Sequence, residues 1–160
     1  MLKNPTTSPI TFAFKLLSLR NHSRAELERE LLTKGFAPEN IWPLLEKLTR
    51  EGVLNDRIFS MELIRSRTRQ KPAGKMKMRA ELRKKGISDE IVEELLKEYQ
   101  SEELCLLAAK KKIGSLHGAT EAIKKKRIEL FLHNRGFAWQ EIQAAIRSCF
   151  QAGTDDEETC

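Results

Sequence analysis

"ELLTKGFAPENIWPLLEKL" spans residues 30–48, and "ELRKKGISDEIVEELLKEY" spans residues 81–99. At an offset of 51, Glu30/Glu81, Leu31/Leu82, Lys34/Lys85, Gly35/Gly86, Phe36/Ile87, Glu39/Glu90, Ile41/Val92, Leu44/Leu95 and Leu45/Leu96 coincide in kind. A weaker third copy, "FLHNRGFAWQEIQAAIRSC", covers 131–149, with Leu132, Gly136, Phe137, Ile142, Ala145 and Ile146 in the same places. Self-similarity at a fixed period of this size marks a repeat protein, in which one supersecondary unit recurs and buries its apolar face on neighbours.

Each copy reads as helix, glycine stop, helix. In the first, Ser23-Arg24-Ala25-Glu26 has the form of a capping box, the Ser23 hydroxyl accepting from the Glu26 N–H while the Glu26 carboxylate reaches back. Leu27, Leu31 and Lys34 follow on one face by helical spacing. Gly35 then suits a left-handed stop, where a Cβ would be costly. Pro38 suits the first turn of the next helix, because its missing N–H would have had no intrahelical partner. Ile41, Leu44, Leu45 and Leu48 give that helix its apolar stripe, and Gly52 ends it.

A third helix is expected ahead of each pair, at about Thr11–Arg20, Asp56–Gln70 and Glu102–Ile113, with Ser101 as the N-cap of the last. No segment alternates apolar and polar residues with period two, so no sheet is expected. The predicted fold is all-α, built of three tandem three-helix repeats. They occupy 11–55, 56–100 and 101–150, after an extension over 1–10 and before a tail over 151–160 expected to be acidic and disordered. Helices this short do not persist alone in water, so mutual packing must stabilise them.

The composition excludes several classes. With 40% apolar, 32% charged and 6% aromatic residues, the chain can fill several small helical cores more readily than one large one. No apolar run approaches a membrane span, and no secretory signal is read at the N-terminus, so a cytoplasmic protein is expected. Cys105, Cys149 and Cys160 are odd in number and widely spaced, which argues against a disulfide framework. Cys105 and Cys149 lie in helical patterns and read as core filling. His22, His117 and His133 lack metal-ligand spacing, so no metal is expected. "GSLHGAT" (114–120) has no following Lys-Ser/Thr and no preceding strand, so it is read as a loop and not a phosphate cradle. Acidic residues are expected on solvent faces. No nucleophile stands with a base, so neither catalysis nor a cofactor is expected.

Charge is dealt in blocks. "RSRTRQKPAGKMKMRAELRKKG" (65–86) carries ten basic residues against one acid, whereas the whole chain has a net charge of only +6. Arg65 and Arg69, four apart, are expected on an outward helical stripe opposite Phe59, Leu63 and Ser66. After a Pro72-Ala73-Gly74 turn, Lys77, Arg83 and Lys84 are expected outward and Met78 and Leu82 inward, with Arg79 on the flank. The candidate partner or nucleic-acid residues are Arg65, Arg67, Arg69, Lys71, Lys75, Lys77, Arg79 and Arg83. Such a surface suits a phosphate backbone, where cations displace condensed counterions, and equally an acidic protein groove. Lys84 and Lys85 are explained as well by a helix C-terminus, which favours positive charge. "KKK" (110–112) and "KKKR" (124–127) either extend a basic track or are solvated surface. Trp42, Tyr99 and Trp139 are expected to pack in the core or between repeats more than to stack on bases.

The chain resembles the RecX family, bacterial regulators of the recombinase RecA, from about Ala13 to Phe150. The residues carrying the resemblance are Gly52, Leu54, Asn55, Asp56, Phe59, Ser66, Arg67, Arg69, Glu81, Leu82, Lys85, Gly86 and Ile87, with "SRAELERELLTKGF" (23–36) equally typical. It departs in the turn Gln70-Lys71-Pro72-Ala73-Gly74-Lys75, one residue longer than the family's Lys-Gly-Tyr-Gly-Pro and without the tyrosine. The resemblance implies an elongated, curved array lying in the groove of a RecA–DNA filament and inhibiting ATP hydrolysis, strand exchange and co-protease activity. The partners it implies are the RecA filament and DNA, the latter bound weakly alone and more strongly with RecA, by a monomer. The residues alone also allow a stand-alone helix-turn-helix-like DNA-binding protein.

Overall fold

A computed structural model describes residues 6–151. Among them are nine α-helices and no strand: α1 (Pro9–Leu19), α2 (Arg24–Lys34), α3 (Pro38–Arg50), α4 (Asp56–Gln70), α5 (Lys75–Lys84), α6 (Asp89–Lys97), α7 (Ser101–Gly114), α8 (Glu121–Asn134) and α9 (Trp139–Gln151). The all-α expectation holds. Most of the tail, residues 152–160 with Cys160, lies outside the described residues, as do residues 1–5 of the N-terminal extension.

The glycine stops behave alike in all three copies. Gly35, Gly86 and Gly136 take φ of 102°, 78° and 77°, the left-handed region that a Cβ disfavours. The next residue in each copy folds its N–H back five positions. Phe36 donates to the Leu31 carbonyl, Ile87 to Leu82 and Phe137 to Leu132, at 3.2, 3.2 and 3.3 Å. This Schellman closure satisfies carbonyls at the helix end and turns a buried apolar side chain inward.

Helix starts follow the sequence less uniformly. The Ser23 capping box forms as expected, with Glu26 N–H donating to Ser23 Oγ at 3.1 Å and Ser23 N–H to the Glu26 carboxylate at 3.3 Å. Ser8 caps α1 by accepting from Thr11 N–H, so the helix begins at Pro9, two residues before the expected Thr11. Ser101 is not the cap of α7. Gln100 holds that place with no side-chain bond, and Ser101, the first helical residue, buries an Oγ without a partner among the described residues. Pro43 lies inside α3 and denies it a backbone bond. Complete burial of Ile41, Leu45 and Leu48 there, at about 2 kcal/mol per side chain, outweighs the roughly 3 kcal/mol that an interior proline costs.

The described residues fall into two compact units. One comprises residues up to Leu63 together with Glu81–Glu94, and the other Ile64–Ala80 together with residues from Leu95 onward. The first unit's core gathers Ala13, Leu27, Leu31, Ile41, Leu45 and Leu48, with Phe12 and Phe36 edge-tilted 6.0 Å apart at its margin. Gly86 in this unit lies so close to Ala25 that an added Cβ would meet the Ala25 methyl. The second unit's core gathers Cys105, Ala109, Ile128, Leu132, Ile142 and Ala145. Cys105 fills that core as expected, and burial, with Glu141 and Cys149 nearby, pushes its thiol up to about 12. Cys149 is half-buried against the same cluster, its thiol also pushed up by burial despite Lys110.

Candidate partner and nucleic-acid surface

Seven of the eight expected cations, Arg65 to Arg79, fall in the second unit, where the turn between α4 and α5 is tied to the rest of the unit. Gly74 N–H donates to the Arg135 carbonyl at 2.8 Å. The Arg135 guanidinium donates in return to the Pro72 carbonyl at 3.1 Å, and the Tyr99 hydroxyl to the Ala73 carbonyl. Burial raises the Tyr99 pKa, so this phenol remains a donor. The backbones touch as well: a Cβ on Gly136 would lie 2.6 Å from Lys77 Cβ, and one on Gly74 would overlap the Gly136 carbonyl. The Pro72-Ala73-Gly74 turn is thus held by backbone to the residues after α8 and by Tyr99.

The individual cations differ. Arg65 and Arg69 are exposed on one stripe of α4, as the spacing requires, with Phe59 buried and Leu63 and Ser66 half-buried. Lys71 and Lys77 are exposed, and Lys75 is half-buried at the start of α5. Arg67 and Arg79 are half-buried and engaged with other groups. Arg83 belongs to the first unit, where it pairs with Asp89 at 2.7 Å, an exposed bridge of small energetic weight.

Lys85 has a structural task. Its ammonium lies 2.7 Å from Glu26, a carboxylate only 3% exposed that Arg20 also reaches at 3.0 Å. The expectation that acidic residues lie on solvent faces fails at Glu26, because its capping role draws it under the start of α2. Burial by itself would raise its pKa. The bonds from Arg20, Lys85 and the Ser23 N–H outweigh that and hold it at about 2.

The second unit adds cations that the sequence left ambiguous or unnoticed. Arg69 lines a cleft of about 420 Å³ with Lys111 and Lys112 of α7 and Arg135 after α8. Leu107 and Phe131 supply its apolar wall, and among the described residues no acidic side chain lines it. Lys112 Nζ and Arg135 Cζ stand 5.2 and 4.8 Å from the Phe131 ring centre, where the negative ring face attracts cations. Apart from Arg69, "KKK" at 110–112 is the sequence signal for this site. Arg135 carried none, since it meets Pro72 across 63 residues.

The tryptophans overturn their packing expectation. Trp42 is 56% exposed and Trp139 61%, whereas Tyr99 packs on the second core. Trp42 follows Ile41 by one residue, about 100° around α3 from the buried stripe, and its indole N–H donates to Glu28 at 3.0 Å. Trp139 is the first residue of α9.

Among the described residues no group of three or more His, Cys, Asp or Glu side chains gathers to hold a metal, and no helix is long and apolar enough to cross a membrane.

Known proteins match this chain along its length. A family model described as RecX, first three-helix domain, matches residues 11–48, and one described as RecX, second three-helix domain, matches residues 55–96. The Regulatory protein RecX of Pelodictyon phaeoclathratiforme is 54% identical over 160 residues, covering all of both chains. That of Chlorobium limicola is 44% identical over 146 residues, covering 91% of this chain and 92% of the relative. The crystal structure of RecX from Lactobacillus salivarius superposes with a TM-score of 0.77 at 24% identity, over 88% of this chain and 93% of that one. The fold agrees with that structure, and identity over the full length carries the kinship: the chain belongs to the RecX family.

Proposed function

We propose that this chain regulates RecA by binding the RecA–DNA filament, and that it lowers ATP hydrolysis, strand exchange and co-protease activity. The observation that carries the reading is the concentration of exposed cations, Arg65, Arg69, Lys71, Lys77 and Lys111, with half-buried Lys75 and Lys112 beside them, on one tied unit of a RecX-family chain. That charge suits a filament whose DNA backbone is anionic, and cations held by packed backbone bind without a large ordering cost. The organisation proposed with it is three three-helix repeats over 11–55, 56–100 and 101–150. The like closures at Gly35, Gly86 and Gly136 support this.

The test is a titration of RecA ATPase on single-stranded DNA. Inhibition is expected at concentrations below that of RecA, with strand exchange falling in parallel. Unchanged ATPase and strand exchange up to equimolar protein would overturn the reading. A second measurement separates it from a stand-alone DNA binder. Arg65→Ala/Arg69→Ala should weaken retention on RecA–DNA filaments and lower the magnitude of the log–log salt slope by about 1.4, at roughly 0.7 per phosphate contact on a single strand. Tight DNA binding without RecA, lost in the same double variant, would favour the stand-alone alternative.

A further inference from the structure

The cleft beside Phe131 has features that a phosphate-binding track does not need. Leu107 is 56% exposed at its wall, in the middle of α7, although the neighbouring positions Ala108 and Ala109 are buried. An aliphatic side chain left open to water among lysines gains nothing from a hydrated phosphodiester. It does gain from an apolar side chain laid against it, at about 25 cal/mol per Å² removed from water. Phe131, the aromatic ring of the cleft, already has Lys112 and Arg135 over it. A nucleobase could stack there only by displacing one of these cations.

The cations divide by what already holds them. Arg135 is committed to the Pro72 carbonyl and the Phe131 ring. Arg69 and Lys111 line the cleft without an ion pair among the described residues, and Lys112 lies over the Phe131 ring but has no carboxylate partner among them. A volume of about 420 Å³ is that of a side-chain or small-ligand pocket, not of a groove that follows a strand. The occupant whose chemistry meets all three conditions is a peptide with an apolar anchor and carboxylates on either side of it.

We propose that this cleft docks an acidic segment of a partner protein, seating one large apolar side chain against the exposed Leu107 and placing flanking carboxylates on Arg69, Lys111 and Lys112. The inference deepens the regulatory reading and rests on it for the partner's biological setting. Its chemistry is testable without RecA.

The experiment uses the full chain and fluorescence anisotropy. The probes are a fluorescein-labelled dodecapeptide of Asp and Glu around a central Leu-Phe pair, the same peptide with Ser-Ser in the centre, and labelled oligo-dT of 18 nucleotides. The Leu-Phe peptide is expected to bind at least tenfold more tightly than the Ser-Ser peptide. Leu107→Ser and Lys111→Glu should each weaken it at least tenfold, with unchanged far-UV circular dichroism and melting temperature. Equal binding of the two peptides, or indifference to Leu107→Ser, would reduce the cleft to general charge and overturn the proposal. So would oligo-dT binding that depends on Leu107 and displaces the peptide. The two readings fail separately: lost peptide docking with intact RecA inhibition overturns the cleft, and the converse overturns the RecA reading alone.

Discussion

Gly74→Ala is expected to lower the melting temperature by roughly 10 °C, at the 2–4 °C per kcal/mol usual for chains of this size. An added methyl meets the Gly136 carbonyl and the Phe137 N–H, both backbone, so no rotamer change relieves the clash. Overpacking of this kind costs about 1–3 kcal/mol. Pushing the turn away also breaks the 2.8 Å bond from Gly74 N–H to the Arg135 carbonyl, adding roughly 1–3 kcal/mol for a buried group left unpaired. Gly114→Ala is the control, because nothing lies within 4 Å of its Cβ position and it ends α7 without a positive φ. There alanine should be neutral or stabilising by up to about 1 kcal/mol. Gly74→Ala should also impair filament retention, since Lys75 and Lys77 start from the displaced turn. Thermal melts of both variants check the pair, and wild-type melting of Gly74→Ala would contradict the backbone apposition.

The apposition of Gly74 and Gly136 shows where the sequence stopped being legible. The helices, the glycine stops and the Ser23 capping box depend on residues a few positions apart, and local spacing displays them. The range Asp56–Gln70 for α4 is the one expected. What spacing cannot display is contact over long separations. Arg135 meets Pro72 across 63 residues and Lys85 meets Glu26 across 59. The repeat gave no hint of the second of these: Lys34 and Lys85 align, and Lys85 reads as ordinary charge at a helix C-terminus. Only Lys85 faces a buried carboxylate.

The candidate surface was legible in the same uneven way. The run of cations from Arg65 to Lys77 announced itself by composition, and the i, i+4 relation of Arg65 and Arg69 gave their common face. Nothing local linked Arg69 to Lys111 and Lys112, which reach one cleft only after α4, α7 and α8 pack together. The tryptophans erred the other way. Their size suggested the core, but the helical phase of Trp42 points it to solvent. Hydrophobic size is a weaker guide to burial than angular position on the helix.

The pairing that sequence could not show carries the second large effect. Glu26→Gln is expected to destabilise the protein by roughly 3 kcal/mol at pH 7, given about 1.4 kcal/mol for each pKa unit by which the native state favours the charged carboxylate. The ordinary value of 4.5 falls to about 2 in the folded protein. Between these values the unfolded chain binds a proton at this site that the folded one does not, so stability rises with pH there. The contribution is therefore complete above about pH 4.5 and disappears as the pH falls toward 2. Glutamine keeps the shape and can still accept from the Ser23 N–H, but it leaves Lys85 and Arg20 without their counter-charge. Denaturant unfolding of wild type and variant should differ by the full amount at pH 7, by about half near pH 3, and negligibly near pH 2. A pH-independent difference would mean that packing at the start of α2 sets its stability, rather than the charge of Glu26.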